Sequence, residues 1–148
     1  MDESLKTYLT VNTEGKTQVE LVLQVYDGAI KEYLKAIEHL KQEEHTKARD
    51  TLDKAKKFIV HLYTTLDPEN GGEVAENLGK LYTFAICQTE VATATKDIQI
   101  VDDIVNILGN LRDGWKELAE KERETVSTTQ PTPVTAESVA TSGFVTSG

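Results

Sequence analysis

The chain has little of what usually announces a chemistry. Its one cysteine among 148 residues, Cys87, excludes an intrachain disulfide and a cysteine-rich zinc site, and nothing calls for an oxidising compartment. Cys87 has no histidine or helix-start neighbour that would activate its thiol, so a small packing residue is expected there. Long apolar runs are missing too, the longest being a few residues against the ~20 needed to cross a bilayer. The start, Met1-Asp2-Glu3-Ser4-Leu5-Lys6, is acidic where a secretion signal needs a basic stretch and then an apolar one. Positive charge is in deficit, with 16 Lys and Arg against 25 Asp and Glu for a net charge of -9. That balance repels phosphate backbones and anionic lipid heads, so nucleic acid and membrane insertion are not expected. A soluble protein of a reducing cytosol is the simplest expectation, and the length suits one domain with a real core.

No stretch alternates apolar and polar residues between turn signals, so a sheet has no source of material. Helical spacing, by contrast, is clear. From Val19 the apolar residues fall at 19, 22, 26, 30, 33, 37 and 40, which is one face of a helix. Thr17 with Glu20 reads as its capping box, so this helix should begin at about Gln18. After a polar break at Gln42-Glu43-Glu44-His45, Thr46 is expected to cap a second helix with Ala48, Leu52, Ala55, Ile59, Leu62 and Leu66 on one stripe. Pro68 cannot continue that helix, and Gly71-Gly72 supply the positive backbone angles of a tight turn. A third helix should open near Glu73 and end near Lys96, with Val74, Leu78, Leu81, Ala85 and Ala92 inward and Tyr82, Phe84 and Ile86 widening its apolar surface. Asp97 can cap a fourth, carrying Val101, Ile104, Leu108, Leu111, Trp115 and Leu118.

Four amphipathic helices joined by short loops predict an all-α fold, an antiparallel up-down four-helix bundle. The domain is expected over residues 17-124. Residues 1-16 form a leader with Leu5, Tyr8, Leu9 and Val11 to pack somewhere, and residues 125-148, rich in Thr and Ser, read as a disordered tail.

Tests for enzyme chemistry come back empty. Gly15-Lys16-Thr17 imitates the end of a phosphate loop, but the motif needs glycine where Thr10 stands, and no strand precedes it. A di-metal bundle site needs Glu three residues before His; His39, His45 and His61 have Ala36, Gln42 and Phe58 there. A phosphorelay carrier would want lysine three residues after its histidine, where this chain has Gln42, Ala48 and Thr64. No Ser-His-Asp arrangement can be placed. No enzyme activity, metal or cofactor is therefore expected. What remains is apolar surplus: Leu21, Val22, Leu23 and Val25 before Tyr26, and Leu81, Tyr82, Phe84, Ala85 and Ile86 together. A single core-facing helix needs a stripe rather than a girdle. Either the core is broad, or a groove awaits an amphipathic segment from another protein.

Several motifs occur in order: Tyr8; Glu20 through Tyr26-Asp27-Gly28-Ala29-Ile30; Leu66-Asp67 through Gly71-Gly72-Glu73-Val74-Ala75-Glu76-Asn77-Leu78 with Leu81-Tyr82; and Leu111-Arg112-Asp113-Gly114-Trp115. Together, over roughly Tyr8 to Leu118, the chain resembles the flagellin-specific export chaperones of bacterial flagellar assembly. It departs from that family in having Gln18 where proline often follows the first cap, and in its long Thr/Pro-rich tail. The resemblance implies a cytosolic chaperone without ATP, a monomer or weak dimer. It would bind the disordered C-terminal segment of flagellin, prevent premature polymerisation, and deliver its client to the flagellar type III export gate, with other flagellar proteins as further partners. Such a client would fold as it binds.

The expected client-binding residues are Leu21, Val22, Val25 and Tyr26 on the first helix, and Asn77, Leu78, Leu81, Tyr82, Ala85 and Ile86 on the third. Asn77 would pair with the backbone of the incoming segment, or else cap the glycine turn; Trp115 is read as packing. Leu5, Tyr8 and Leu9 would cap the groove until the client displaces them. The competing readings are a helical adaptor or interaction bundle without a chaperone role and, behind it, a phosphorelay carrier.

Overall fold

The computed structural model describes residues 17-128 and contains four helices: α1 (Gln18–Lys41), α2 (His45–Thr64), α3 (Pro68–Thr95) and α4 (Ile98–Thr128). The leader residues Leu5, Tyr8, Leu9 and Val11, and the tail beyond Thr128, lie outside the described residues. Each helix packs on its neighbour in sequence, and α1 also packs on α4, which closes the ring of an antiparallel up-down bundle.

Local chemistry sets the helix ends. The Thr17 hydroxyl accepts the Glu20 amide at 3.1 Å while the Glu20 carboxylate accepts the Thr17 amide at 3.0 Å, so the expected capping box starts α1 at Gln18. The next expectation fails: α2 begins at His45, with Glu44 rather than Thr46 at its N-cap and no side-chain cap bond. Glu44 instead spans the turn, 2.8 Å from the His39 ring and 3.6 Å from the Lys47 ammonium. The hydrogen bond from His39 is the main cause holding its carboxyl below the usual range. Glu43 carries the left-handed turn at φ 58°.

Helix α3 opens earlier than Glu73. Asp67 caps a first turn at Pro68 by accepting the Asn70 amide at 3.3 Å and its side-chain amide at 2.7 Å. The helix then breaks at Gly72 (φ 59°, ψ -139°) and resumes at Glu73. Lys96 ends it in the left-handed conformation. Asp97 accepts the Gln99 amide at 2.9 Å, as expected of a cap. Helix α4 runs through Thr128 and so takes in residues 125-128, which were expected to belong to the tail.

The core follows the stripes of α1, α2 and α4: Val19, Tyr33, Leu52, Ile59, Leu62, Val101, Ile104 and Leu108 are all fully buried. On α3 the reading needs correction. Tyr82, expected at the margin, is buried, whereas Leu81, expected inward, is exposed. Cys87 is also exposed and fills no core position. The cause is polar. Tyrosines of α1 reach across the bundle to α3, so their partners Tyr82 and Thr89, with Leu78, Ala85 and Ala92, mark the true inner face.

Two cross-bundle bonds form like rungs. The Tyr26 and Tyr82 hydroxyls are 2.5 Å apart, and two helical turns along, Tyr33 Oη lies 2.6 Å from Thr89 Oγ1. Thr89 donates its own proton to the Ala85 carbonyl at 2.7 Å, so Tyr33 is the donor. Burial pushes the Tyr33 phenol up to about 12, against a smaller opposing effect of Thr89. The folded pKa is raised, so the unfolded chain loses this proton first, near pH 10, and stability then falls until the folded pKa is passed. Between pH 10 and about 12 this group alone removes roughly 2 to 3 kcal/mol. Urea midpoints measured across that window should drop more steeply in the wild type than in Tyr33→Phe; parallel curves would exclude the effect.

Candidate functional site

The ten expected client-binding residues do not share one surface. Val22, Tyr26, Leu78, Tyr82 and Ala85 are buried. They hold the bundle together, and Tyr26, Leu78, Tyr82 and Ala85 are out of a partner's reach while it stays closed, because α1 and α3 turn these positions toward each other; the edge of Val22 borders the groove between α1 and α2. The other five divide between two places. Leu21 and Val25, both half-buried, line a groove of about 450 Å³ between α1 and α2, with Phe58, His61 and Thr65 opposite. Asn77, Leu81 and half-buried Ile86 are on α3. The α1 and α3 groups meet only inside the core, where Tyr26 touches Tyr82 with ring centres 6.4 Å apart.

Helix α3 carries a second apolar row, in which Leu81 and Phe84 of the expected apolar surplus are joined by Val91, which the sequence did not single out. Leu81, Phe84 and Val91 are 37, 50 and 41% exposed. Their spacing of three and seven repeats the helical period one residue before the buried row of Leu78, Tyr82, Ala85 and Ala92. The direction of this row is fixed by the other side of α3. There Gly79 sits against Tyr63 of α2 and Leu66 just beyond its end, and Glu90 takes the Lys56 ammonium of α2 at 2.5 Å. The Leu81–Val91 row therefore faces away from α2, on the side where α4 closes the ring. Three large apolar side chains in one exposed row are more than the scattered apolar surface of an ordinary monomer. Asn77 is exposed one turn before Leu81 and makes no side-chain bond to the glycine turn among the described residues, so the cap role belongs to Asp67.

The motifs behind the family resemblance prove to be joints of the bundle. Within Tyr26-Asp27-Gly28-Ala29, Tyr26 bonds Tyr82 of α3, and Asp27 pairs with Arg112 of α4. Gly28 lets Phe58 of α2 approach so closely that an added Cβ would lie 2.6 Å from its ring. Ala29 is buried. Leu111-Arg112-Asp113-Gly114-Trp115 answers from the other side: Arg112 holds Asp27, and the Trp115 indole donates to the Tyr26 hydroxyl at 3.2 Å. Trp115 is buried, in keeping with its expected packing role.

The described residues include no helix long and apolar enough to cross a membrane. An exposed apolar row on a helical bundle is a surface on which an amphipathic segment can lie.

Comparison with known proteins agrees with this geometry. The family model described as "Flagellar protein FliS" matches residues 1–122. The flagellar secretion chaperone FliS of Salmonella typhimurium is 30% identical over 122 residues, covering 79% of this chain and 90% of the relative. FliS of Vibrio cholerae, with the same description, is 27% identical over 122 residues, covering 80% and 90%. A crystal structure of a bacterial flagellar chaperone shares the fold, with a TM-score of 0.68 at 21% identity over 80% of this chain and 96% of that one. The chain belongs to the FliS family of flagellar secretion chaperones.

Proposed function

We propose that this protein binds the C-terminal segment of flagellin in the bacterial cytosol, keeps it from polymerising early, and passes it to the flagellar type III export apparatus. The observation that carries the reading is the exposed row Leu81, Phe84 and Val91 on α3, in a chain of the FliS family. An apolar segment that cannot form a core alone gains order by laying its apolar face on such a row. The proposed contacts are that row with Asn77, and at a separate surface Leu21 and Val25 with the edge of Val22 in the α1–α2 groove; Ile86, seven residues after Gly79, lies on the side of α3 that faces α2 and is not part of the row. Tyr26, Leu78, Tyr82 and Ala85 would act as the support behind them. Release to the export gate requires only that the grip be reversible, and no catalytic step is invoked. The leader residues Leu5, Tyr8 and Leu9 are proposed to cover part of the surface before the client arrives, in a monomer or weak dimer.

Calorimetric titration with a peptide covering about the last forty residues of the same organism's flagellin tests the reading; sub-micromolar affinity and a large negative heat-capacity change are expected. Circular dichroism of the mixture should exceed the sum of its parts in helicity. Leu81→Asp and Phe84→Asp should each weaken binding about tenfold or more, because a desolvated anchor is replaced by a charge. Removing residues 1 to 11 should tighten binding; weaker binding would make the leader part of the client site. No binding by a folded, monodisperse sample would sink the chaperone reading and favour the helical adaptor.

A further inference from the structure

The side of α3 that faces α2 holds a second feature, which the client reading leaves unused. Where α2 ends and α3 begins, the two helices stand apart around an open groove of about 1180 Å³. Its walls are Tyr63 of α2, Leu66 of the connection, and Pro68, Ala75, Gly79 and Thr83 of α3. Tyr63 is 49% exposed, a large ring left half in water at the rim. Opposite it α3 offers small side chains at four-residue steps, Ala75, Gly79 and Thr83, with Gly79 covered by Tyr63 and Leu66, so the groove floor is low and an incoming helix would rest on the exposed Tyr63 ring and on Leu66. The groove is wider than a small-molecule pocket of ~300 to 1,000 Å³ and open along its length, which suits a macromolecular segment.

Charge decides what kind of segment. Glu73 and Glu76 line the groove, and exposed Glu69 comes four residues before Glu73. The one cation lining it, Lys80, lies 3.7 Å from Glu76, an exposed pair in which each charge partly offsets the other. The unshared negative charge is that of Glu73 with neighbouring Glu69, which have no cationic partner among the described residues. The whole chain adds a net charge of -9, so the long-range field draws the same sign of partner as the local carboxylates do.

We propose that the α2–α3 groove is a second docking site, which takes a basic amphipathic helix from another protein: an apolar ridge against Tyr63 and Leu66, with Lys or Arg along the edge that meets Glu73 and Glu76. Gly79 and Leu81 are two residues apart, about 200° around a helix, so α3 presents this groove on one side and the exposed apolar row on the other. The two sites can be filled together, and a secretion chaperone can then be held by a second protein without releasing what it carries.

A fluorescein-labelled synthetic helix of about 20 residues, with leucines at three- and four-residue spacing flanked by lysine and arginine, serves as the probe, and a twin with glutamate in place of the basic residues serves as its control. Anisotropy titration of the full chain should give a dissociation constant on the order of 10 µM for the basic helix and no binding of the twin. Glu73→Lys with Glu76→Lys should weaken the probe about tenfold or more, as should Tyr63→Ala. All three residues are exposed, and circular dichroism confirms that the variants fold. The reversal Asp113→Lys with Glu117→Lys on α4 should change nothing. Saturating flagellin peptide should leave the probe affinity unchanged. Equal binding of both helices, equal loss in the α4 reversal, no binding of the basic helix, or displacement of the probe by the flagellin peptide would each overturn the proposal. The last outcome would assign the groove to the client and leave the chaperone reading standing.

Discussion

Tyr26→Ala should cost on the order of 4 kcal/mol of unfolding free energy, enough to remove much of the ~5 to 15 kcal/mol that a domain of this kind has. The ring is fully buried, and its removal leaves a void that helices fixed on three sides cannot close. The hydroxyl is also where α4 and α3 meet, since the Trp115 indole donates to it and the Tyr82 hydroxyl lies 2.5 Å away. Tyr26→Phe separates the two contributions. It keeps the packing and removes the shared oxygen, for an expected loss of about 1 to 3 kcal/mol. Equilibrium urea denaturation of both variants supplies the test. A Tyr26→Phe midpoint equal to the wild type would show that the hydroxyl contacts add nothing to stability, and a small loss in Tyr26→Ala would mean that the bundle collapses around the gap.

The second large effect is expected at Gly72. Its φ of 59° and ψ of -139° belong to a region open essentially to glycine alone, and an added Cβ would find nothing within 4 Å. Any penalty there comes from the backbone and not from a neighbour. Gly72→Ala and Gly72→Val should therefore cost similar amounts, about 2 to 3 kcal/mol each, with the helix content unchanged. The contrary result is informative as well. If Gly72→Ala were neutral or stabilising, the kink would have relaxed and α3 would run unbroken from Pro68. The groove beside α2 is lined by Gly72 itself, so the same variant would then reshape it.

The architecture could be read from spacing and caps. Thr17 with Glu20, the stripe from Val19 to Leu40, and the break around Pro68 each depend on residues close in sequence, and so they were legible. Errors came where distant partners decide. Nothing near Leu81 and Tyr82 reveals which of the two faces inward; Tyr26, 56 residues earlier, settles it by bonding Tyr82. Thr46 looks like a cap by type, but Glu44 is engaged by His39 from the preceding helix, and α2 starts beside it. Cys87 is apolar enough to pack and lies on the wet side of α3 all the same. The candidate site was the least legible. Of the motif residues that carry the family resemblance, Tyr26 and Tyr82 were expected at the client surface and instead meet each other inside the bundle, while Asp27, Gly28, Arg112 and Trp115 join helices to one another. Phe84 belongs to no such motif and showed only as part of the apolar surplus, and Val91 is marked only by its period, shifted by one from the buried row.

Trp115 gives the molecule an optical gauge of its own. It is the single tryptophan of the chain, buried and bonded to Tyr26 at the centre of the bundle, so its emission reports the interior and is silent about the rim. A client that only coats Leu81, Phe84 and Val91 should leave that light unchanged. One that reaches Tyr26 or Tyr82 has to part the helices first, and the indole would register the water that follows by shifting its emission to the red. Whether this chaperone grips with its surface or opens to receive can therefore be read from the colour of one residue, with no label attached.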